Sequence, residues 1–485
     1  MYPASILLTD FYQLTMAYGY WKNGIDHKES VFHMFFRTTP FEGGFSVACG
    51  LENVIEFLEN FRFEQSDIEY LASLTGNDGK ALFHSDFLIF LKTFKFQCDV
   101  DAIPEGTIVF PYEPLVRVQG TLIQCQILET VLLNMINFQT LIATKAARIS
   151  LAAKGDPVME FGLRRAQGID GALTASRAAY IGGCTGTSNV LAGKMYGIPV
   201  QGTMAHSWVM SFDKENEAFD AYAKALPNNS VFIVDTYSSL EGVKNAIETG
   251  RQLRKQGYDL AGIRLDSGDL AYLSIEARKI LDENDFQNTK IVVSNELDEI
   301  IIASLKQQNA QIDTWGVGTK LITAYDQPAL DGVYKLAAIR EPGEPWVYKV
   351  KVSEQAIKVT TPGVQQVRRY RDGKENIADV IYNSAAEMGK GCTMIDPLNM
   401  TRQREISGEM EYKNLLVPIF RNGKKVYSSP TIHQIRENVK NELNQFHPGI
   451  ERFINPHQYP VGIEKSLFEL KTKLILQIRE SYRHE

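Results

Sequence analysis

The middle of the chain alternates between short apolar runs and longer amphipathic segments. Segments with helical periodicity lie at 218–226, 239–257 and 271–284. Around them recur seven apolar, β-branched runs: PVMEFGL, YIGGCTG, IPVQGTMAHS, SVFIVDTY, LAGIRLDSGD, TKIVVSNELD and DTWGVGTKL. Strands that alternate with helices of this length are typical of βαβ units and a parallel sheet. Seven successive units therefore predict an α/β protein with an (α/β) barrel or a close relative of it, and an open doubly wound sheet is the alternative.

The two ends of the chain follow a different pattern. Residues 1–120 mix helical segments with the strand-like run ESVFHMFFRT. The Pro- and Gly-rich segment REPGEPW ends the alternation, and hairpin-like strands and a terminal helix follow it within 341–485. We therefore predict a barrel domain at 121–340 and an outer α+β part that both ends of the chain build.

Composition and charge narrow the class of protein. The chain has 485 residues, of which 44% are hydrophobic and 22% charged, as is ordinary for a globular protein. The net charge of -7 argues against a broad nucleic-acid surface, although a local pocket can still bind a small anion. The five cysteines are odd in number and form no CxxC pair, which argues against a zinc site or a disulfide framework.

One long apolar stretch needs to be weighed as a membrane span. It runs over 127–143 and is interrupted by Glu129, Asn134, Asn137 and Gln139, so it predicts a buried helix. The first residues lack the basic and then apolar order of a secretory signal. We therefore expect no membrane partner and a cytoplasmic location.

Polar residues cluster where the apolar runs end. In a parallel α/β protein these positions are the carboxyl ends of the strands, where functional sites form. His206, beside Thr203, is the one histidine of the barrel segment, and Asp235 ends the next run. A carboxylate there can hold one imidazole nitrogen and leave the other as a base or nucleophile. The alternative is that Asp235 caps the following helix.

The run IRLDSGD adds an arginine and two carboxylates. Arg264 offers a planar fork for a carboxylate or phosphate. Asp266 can accept hydrogen bonds from sugar hydroxyls, and Asp266 and Asp269 are possible ligands of a magnesium ion. The alternative is an Arg264–Asp266 ion pair followed by an ordinary helix start.

The last two runs end in residues suited to phosphate. Ser294 and Asn295 follow one strand, and the turn Gly316-Val317-Gly318-Thr319 follows the other. Such a turn at a late barrel strand is a usual phosphate site because glycines expose backbone N–H groups. No GxxxxGK[ST] motif occurs, which excludes a P-loop nucleotide site.

The run EFGLRR contributes an aromatic side chain and adjacent arginines. Phe161 fits the core better than a ligand stack on the residues alone, and Arg164 suggests an anion. Together the residues predict an α/β enzyme that uses a basic or nucleophilic histidine on a small, multiply phosphorylated substrate. They do not name the reaction.

A family resemblance does name one. LLTDFYQLTMAYGYW, EFGLRRAQGIDGALTASRAAYIGGCTGTSN, GTMAHS, IRLDSGDL, VVSNELDE, GVGTKL and NPHQYPVGI together resemble nicotinate phosphoribosyltransferase over nearly the whole chain. The resemblance implies an irregular (α/β) barrel of the type II phosphoribosyltransferase kind with an outer α+β domain. It also implies transfer of the 5-phosphoribosyl group of PRPP to nicotinate in NAD salvage, coupled to ATP through a phosphohistidine. The implied partners are nicotinate, PRPP, ATP and Mg²⁺, in a homodimer with shared active sites.

The resemblance also assigns roles to residues of this chain. His206 matches the phosphorylated histidine, and Asp235 matches the carboxylate that orients it. Around nicotinate, Tyr12 of the partner subunit and Phe161 would stack on the pyridine ring, so here the resemblance overrides the core interpretation of Phe161. The other implied contacts are Arg264 and Thr203 to nicotinate, Asp266 to the ribose hydroxyls, and Gly316, Gly318, Thr319 and Arg164 to phosphate.

Ser188 bears on substrate choice. The related nicotinamide enzymes carry Asp at this position, which would accept an amide N–H and repel a carboxylate. Ser188 removes that repulsion, so we expect the acid to be the substrate. The remaining alternatives are a nicotinamide phosphoribosyltransferase and a non-catalytic dimer that senses nicotinate or NAD.

Overall fold

The structure is a computed structural model that describes residues 5–482, and the chain divides into two compact units. The first unit contains 5–141 and 329–482 of the described residues, and the second contains 142–328. The second unit thus holds the alternation of strands and helices, whereas the first holds both flanks. The domain limits drawn from the sequence remain a prediction.

The helices and strands follow one another in three stretches. The first stretch contains α1 (Phe11–Lys22), β1 (Glu29–Phe35), β2 (Ser46–Val47), α2 (Leu51–Glu59), α3 (Gln65–Ser73), α4 (Ser85–Lys92), β3 (Asp99–Ala102), β4 (Ile108–Val109), β5 (Val116–Thr121), α5 (Leu122–Ile127) and α6 (Glu129–Ala152). The second contains β6 (Val158–Glu160), α7 (Ile169–Ile181), β7 (Gly186–Thr187), α8 (Val190–Tyr196), α9 (His206–Val209), α10 (Glu215–Ala225), β8 (Val231–Ile233), α11 (Ser239–Lys255), β9 (Gly262–Leu265), α12 (Leu270–Glu283), β10 (Lys290–Asn295), α13 (Glu299–Gln307), β11 (Thr314–Val317) and α14 (Thr319–Ile322). The third contains β12 (Val333–Arg340), β13 (Val347–Tyr348), β14 (Gln365–Asp372), β15 (Glu375–Asn383), β16 (Cys392–Ile395), β17 (Gln403–Ile406), β18 (Glu411–Asn414), β19 (Val417–Arg421), β20 (Lys424–Lys425), α15 (Ile432–Leu443), β21 (Val461–Glu464) and α16 (Lys465–Ser481).

The second unit is built on one parallel sheet of six strands. Their order is β7-β6-β11-β10-β9-β8, and all the pairs are parallel. Strands that follow one another in the chain are neighbours, except that β7 and β8 form the two edges and the first strand, β6, pairs with the last, β11. A doubly wound sheet instead has an order such as 3-2-1-4-5-6. The order here is that of a sheet curled into a half-barrel, with β7 and β8 at its two edges, and the mixed α/β fold is confirmed.

Two of the seven predicted strands are wrong in detail. The apolar part of YIGGCTG continues α7 through Ile181, because that helix buries a row of alanines, and only Gly186–Thr187 is extended. The run at 198 forms a single bridge between Thr187 and Val200. Pro199 accepts a hydrogen bond from Thr187 N but has no N–H to donate, which limits the pairing of this segment.

The helices of the second unit begin where polar residues follow a strand. The predicted helices at 218–226, 239–257 and 271–284 are confirmed as α10, α11 and α12. The side chains of Asn189, Asp269 and Asp298 accept backbone hydrogen bonds at the first turns of α8, α12 and α13. None of the helices found between residues 5 and 482 is sufficiently long and apolar to cross a bilayer.

The first unit is built on two main sheets, of seven and six strands. A seven-stranded sheet in the order β13-β12-β1-β5-β3-β19-β20 takes strands from both ends of the chain. A six-stranded sheet in the order β17-β16-β21-β15-β14-β18 comes from the third stretch alone. The predicted hairpin is confirmed: β14 and β15 pair antiparallel, and Gly373 takes a positive φ of 57° in the turn.

A buried guanidinium in the first unit lies among three carboxyl groups. Arg369 on β14 is fully buried and donates to Asp379 Oδ1 from Nε at 2.9 Å and to Glu442 Oε2 from Nη1 at 3.1 Å. Tyr459 Oη donates to Asp379 Oδ1 at 2.9 Å. Glu113 Oε1 lies 4.0 Å from Arg369 Nη2. Burial raises the pKa of the Glu113 carboxyl well above its ordinary value, and Asp379 raises it further against the opposing charge of Arg369.

This raised pKa predicts a pH dependence of stability. The folded chain keeps a proton on Glu113 that the unfolded chain loses above its pKa of about 4.3. The contribution of Glu113 to the free energy of unfolding is therefore fully present below the unfolded pKa. It is lost as the pH rises through the folded pKa, at up to about 1.4 kcal/mol per pH unit. We expect Glu113→Gln to flatten the decline in urea-unfolding free energy between pH 5 and 8. Glu411→Gln, at an exposed position on β18, is the control, and equal slopes in all three proteins would contradict the prediction.

Candidate functional site

The parallel register brings several predicted residues to the same edge of the sheet. Ser294 on β10 lies opposite Gly316 on β11, and Gly316 lies opposite Met159 on β6. On the other side of β10, Val292 pairs with Arg264 on β9. Side chains at these carboxyl ends, and in the loops that follow them, therefore converge within the second unit.

Arg264 is held by three partners. Its Nε donates to Ser294 Oγ at 2.8 Å, its Nη1 to Thr203 Oγ1 at 2.9 Å, and its Nη2 to Asp266 Oδ1 at 2.9 Å. The ion pair with Asp266, which the sequence offered as the alternative interpretation, is thus present. It fixes the guanidinium plane at the strand end without using all five of its N–H groups. Remaining donors can bind a carboxylate or phosphate.

Asp266 joins the arginine to the histidine. Its Oδ1 also accepts a hydrogen bond from Ser294 Oγ, and its Oδ2 lies 3.7 Å from His206 Nε2. Burial by itself would raise the pKa of this carboxyl, but the Ser294 hydrogen bond and the charges of Arg264 and His206 outweigh it, and the net pKa is lowered. Asp266 is therefore an ionised acceptor at neutral pH.

Asp235 belongs to the same cluster of side chains as Arg264, Asp266 and His206. Its side chain is 1% exposed, compared with 28% for Asp266. Its Oδ2 accepts hydrogen bonds from Asp266 N at 2.8 Å and from Ser267 Oγ at 2.7 Å. Its Oδ1 has no hydrogen-bond partner among the residues that the structure describes. Asp235 does not cap the next helix, because α11 has Ser238 at its N-cap.

His206 begins α9 and is partly open to solvent, with a side chain 39% exposed. Its Nδ1 lies 3.1 Å from Thr236 Oγ1, and its Nε2 lies 3.9 Å from Asp235 Oδ1. The hydrogen bond expected between Asp235 and the ring is not formed in this arrangement, because 3.9 Å is too long for one. Thr236, which the sequence analysis missed, takes that place, and its position directly after Asp235 was the available signal.

An aromatic ring and a glycine turn complete the cluster. Phe161 follows β6, is half-buried, and lies with its ring centroid 6.0 Å from the Arg264 guanidinium carbon. A Cβ on Gly316 would come within 2.6 Å of the Phe161 ring, so glycine is required for this approach. Thr319 Oγ1 donates to Glu296 Oε1 at 3.3 Å, a partner that the sequence analysis also missed. The first backbone N–H groups of α14 have no partner within the helix, as at any helix start.

The remaining predicted residues lie in different surroundings. Asn295 is exposed, with φ of 143°, and its Oδ1 accepts from Glu296 N at 2.8 Å. Ser188 is half-buried just after β7, and Arg164 is exposed on a 3-10 turn after Phe161. Tyr12 belongs to the first unit, on α1, and is 47% exposed.

The acids do not form a metal cage. Between residues 5 and 482, no three His, Cys, Asp or Glu side chains lie in a position to hold a metal ion together. Asp269 Oδ1 caps α12 by accepting from Tyr272 N at 3.1 Å. Asp266 Oδ2 and Asp235 Oδ1 both lie near His206 Nε2, at 3.7 Å and 3.9 Å.

Fold and cluster together define an α/β protein with a polar site of arginine, histidine and carboxylate side chains at the carboxyl ends of parallel strands. Three family models match the chain: the nicotinate phosphoribosyltransferase N-terminal domain at 7–137, the family domain at 157–360 and the C-terminal domain at 365–471. The nicotinate phosphoribosyltransferase of Bacillus subtilis is 42% identical over 99% of this chain and 97% of its own. The chain belongs to the nicotinate phosphoribosyltransferase family.

Solved structures agree with that assignment. The crystal structure of human nicotinic acid phosphoribosyltransferase superimposes with a TM-score of 0.83 at 31% identity, covering 96% of this chain and 99% of its own. The nicotinate-nucleotide pyrophosphorylase from Pyrococcus furiosus superimposes with a TM-score of 0.69 at 25% identity, covering 92% of this chain and 98% of its own. The family resemblance seen in the sequence is thereby confirmed.

The contact between Gly316 and Phe161 yields a prediction. Gly316→Ala places a methyl group against the ring, and overpacking of this kind costs about 1–3 kcal/mol. We expect its unfolding free energy, measured with urea, to fall by that amount relative to Gly202→Ala. A Cβ at Gly202 meets no atom within 4 Å, so this control carries the same change in backbone entropy without the clash. Equal stability of the two variants would show that the ring moves away freely.

Proposed function

We propose that this protein transfers the 5-phosphoribosyl group of PRPP to nicotinate, giving nicotinate mononucleotide and diphosphate, in NAD salvage. Family membership supports the reaction class. The observation that carries the proposal is the continuous series of contacts from His206 through Asp266 to Arg264 and Thr203, beside Phe161 and the 316–319 turn. These contacts support the proposal because they bring together a guanidinium suited to a carboxylate, an aromatic ring suited to a pyridine, and a carboxylate suited to ribose hydroxyls.

The roles follow from the chemistry of each side chain. Arg264 binds the nicotinate carboxylate through its remaining N–H groups, with Thr203 and Ser294 holding its plane. Phe161 stacks on the pyridine ring. The ionised Asp266 accepts the ribose hydroxyls and stabilises the positive charge that develops on the ribosyl carbon.

Phosphate recognition belongs to the turn after β11. Gly316, Gly318 and Thr319 present backbone N–H groups and a hydroxyl to the 5-phosphate, and Arg164, which is exposed, approaches from the end of β6. Asn295 lies at the neighbouring strand end and completes this side of the substrate pocket.

Two carboxylate oxygens near His206 suit a magnesium ion that arrives with its substrate. Mg²⁺ is usually held by one or two carboxylates together with substrate phosphates, and it keeps several water ligands. Asp266 Oδ2 and Asp235 Oδ1 suit that mode, whereas Asp269 uses one oxygen to cap α12. When bound, the ion would neutralise charge on the departing diphosphate.

We further propose that ATP is a co-substrate that phosphorylates His206. A ring nitrogen attacks the γ-phosphorus, the bond to ADP breaks, and water later releases the group as phosphate. Asp235, buried and oriented by Ser267, faces the ring and stabilises its positive charge. Since the chain lacks a P-loop, ATP shares this strand-end site with PRPP.

We also propose the quaternary and fold details that the family resemblance implies. The cyclic strand order supports the type II phosphoribosyltransferase barrel. Large exposed apolar side chains on adjoining elements of the second unit support a homodimer, namely Leu163, Ile169, Val190, Leu191, Met195 and Val200. In such a dimer, Tyr12 of the partner subunit would stack on the pyridine ring opposite Phe161.

Turnover and labelling test the function together. The wild type should convert nicotinate but not nicotinamide with PRPP, and ATP should raise the rate at low substrate concentration. With γ-labelled ATP it should acquire acid-labile, alkali-stable phosphate. His206→Ala should lose the label and the response to ATP. No turnover by the wild type would leave a nicotinate-sensing dimer, and equal label on His206→Ala would refute the phosphohistidine.

Ser188 tests the choice of acid over amide. Its N–H donates to Glu160 O at 2.9 Å, which places its half-buried side chain at the end of β7. An aspartate there would repel the substrate carboxylate at a cost of several kcal/mol, so Ser188→Asp should lower kcat/KM for nicotinate about tenfold or more. Ser188→Asn is the control, because asparagine has the size of aspartate but carries no charge. Unchanged nicotinate kinetics in Ser188→Asp would refute this account.

A further inference from the structure

A buried carboxylate lies between the two strand ends that flank the proposed pyridine pocket. Glu160 is the last residue of β6 and is 0% exposed. Its Oε2 accepts hydrogen bonds from Thr187 Oγ1, at the end of β7, at 2.6 Å and from Ser176 Oγ, on α7, at 2.9 Å. Its Oε1 accepts from the backbone N–H of Gly162. One side chain thus ties together three separate elements.

These ties act on the residues next to them in the chain. Phe161 lies between Glu160 and Gly162, so the bond from Gly162 N closes a tight turn around the Phe161 backbone. On the other side, Ser188 follows Thr187, and Ser188 N donates to Glu160 O at 2.9 Å. Both the stacking ring and the residue that faces the substrate acid or amide are therefore attached to Glu160.

The two hydroxyls that donate to Glu160 also accept hydrogen bonds from Asn189. Thr187 Oγ1 accepts from Asn189 N at 2.9 Å, and Ser176 Oγ accepts from Asn189 Nδ2 at 3.2 Å. A carboxylate in such a place is costly to bury unless its lone pairs are paired, and here each oxygen has a donor. A satisfied polar network of this kind fixes positions more sharply than apolar contacts do.

We propose that Glu160 is a positioning residue that sets the spacing between Phe161 and Ser188 and thereby the affinity for the pyridine acid. It does not touch substrate. The inference rests on the proposed function. Because its ties reach β6, β7 and α7, and not Asp235 or Asp266, it acts on the pyridine end of the site and leaves the phosphorylation of His206 unchanged.

The test separates the two ends of the site. Glu160→Gln replaces one acceptor oxygen by a donor, and Thr187→Val removes a hydroxyl donor with little change of shape. Both should raise KM for nicotinate about tenfold or more while KM for PRPP and ATP-derived label on His206 stay within about twofold of the wild type. Thr187→Ser, which keeps the hydroxyl, should restore the nicotinate KM. Ser274→Ala is the matched control, since Ser274 is also fully buried and donates back along its own helix, at 3.0 Å to Ala271 O.

Several outcomes would overturn the proposal. A parallel rise of both KM values, or a loss of kcat with unchanged KM, would reduce Glu160 to general support of the fold. Failure of Thr187→Ser to rescue, or a Ser274→Ala variant as weak as Thr187→Val, would do the same. If Glu160→Gln does not fold, the comparison of Thr187→Val with Thr187→Ser tests the proposal without it. A wild type without nicotinate turnover would reject the proposed function as well, which is a separate result.

Discussion

The parallel register of the six-stranded sheet is the constraint on which the site depends. Neighbouring parallel strands end at the same edge, so residues far apart in the chain are brought within hydrogen-bond distance there. Arg264 and Ser294 are thirty residues apart, yet their side chains meet at 2.8 Å because β9 and β10 pair in register. A slip of one residue in either strand would turn one of these side chains to the opposite face of the sheet.

At that edge of the sheet, each charged side chain lies next to one of opposite charge or to a hydrogen-bonding group. Arg264 is neutralised by Asp266 and oriented by two hydroxyls, and Asp266 is kept ionised against its burial. His206 lies next to both Asp235 and Asp266 without a short hydrogen bond to either. The cluster thus contains a guanidinium, a partly exposed imidazole and two carboxylate oxygens that lie 3.7 and 3.9 Å from that imidazole, and such fixed charges can stabilise charge on a bound group.

The charged side chains of the site are held by further hydrogen bonds from residues around them. Ser267 and the backbone of Asp266 fix one oxygen of Asp235, Thr236 fixes the imidazole, and Glu160 ties β6 to β7. Each of these contacts joins residues that follow different strands or belong to different elements. The precision of the cluster therefore depends on the packing of the second unit and not on the strand ends alone.

The alternation of strands and helices, the family and the residues at the strand ends were all predictable from the chain alone, because apolar periodicity and motif spacing are local properties. The sequence did not determine that the apolar half of YIGGCTG belongs to a helix, since burial of the alanines on α7 decides that. Nor did it show that Thr236 lies within hydrogen-bond distance of the imidazole whereas Asp235 does not. It also did not show that Glu160 links three elements. Those facts depend on distances between elements, which only the folded backbone fixes, because hydrogen bonds discriminate over tenths of an ångström.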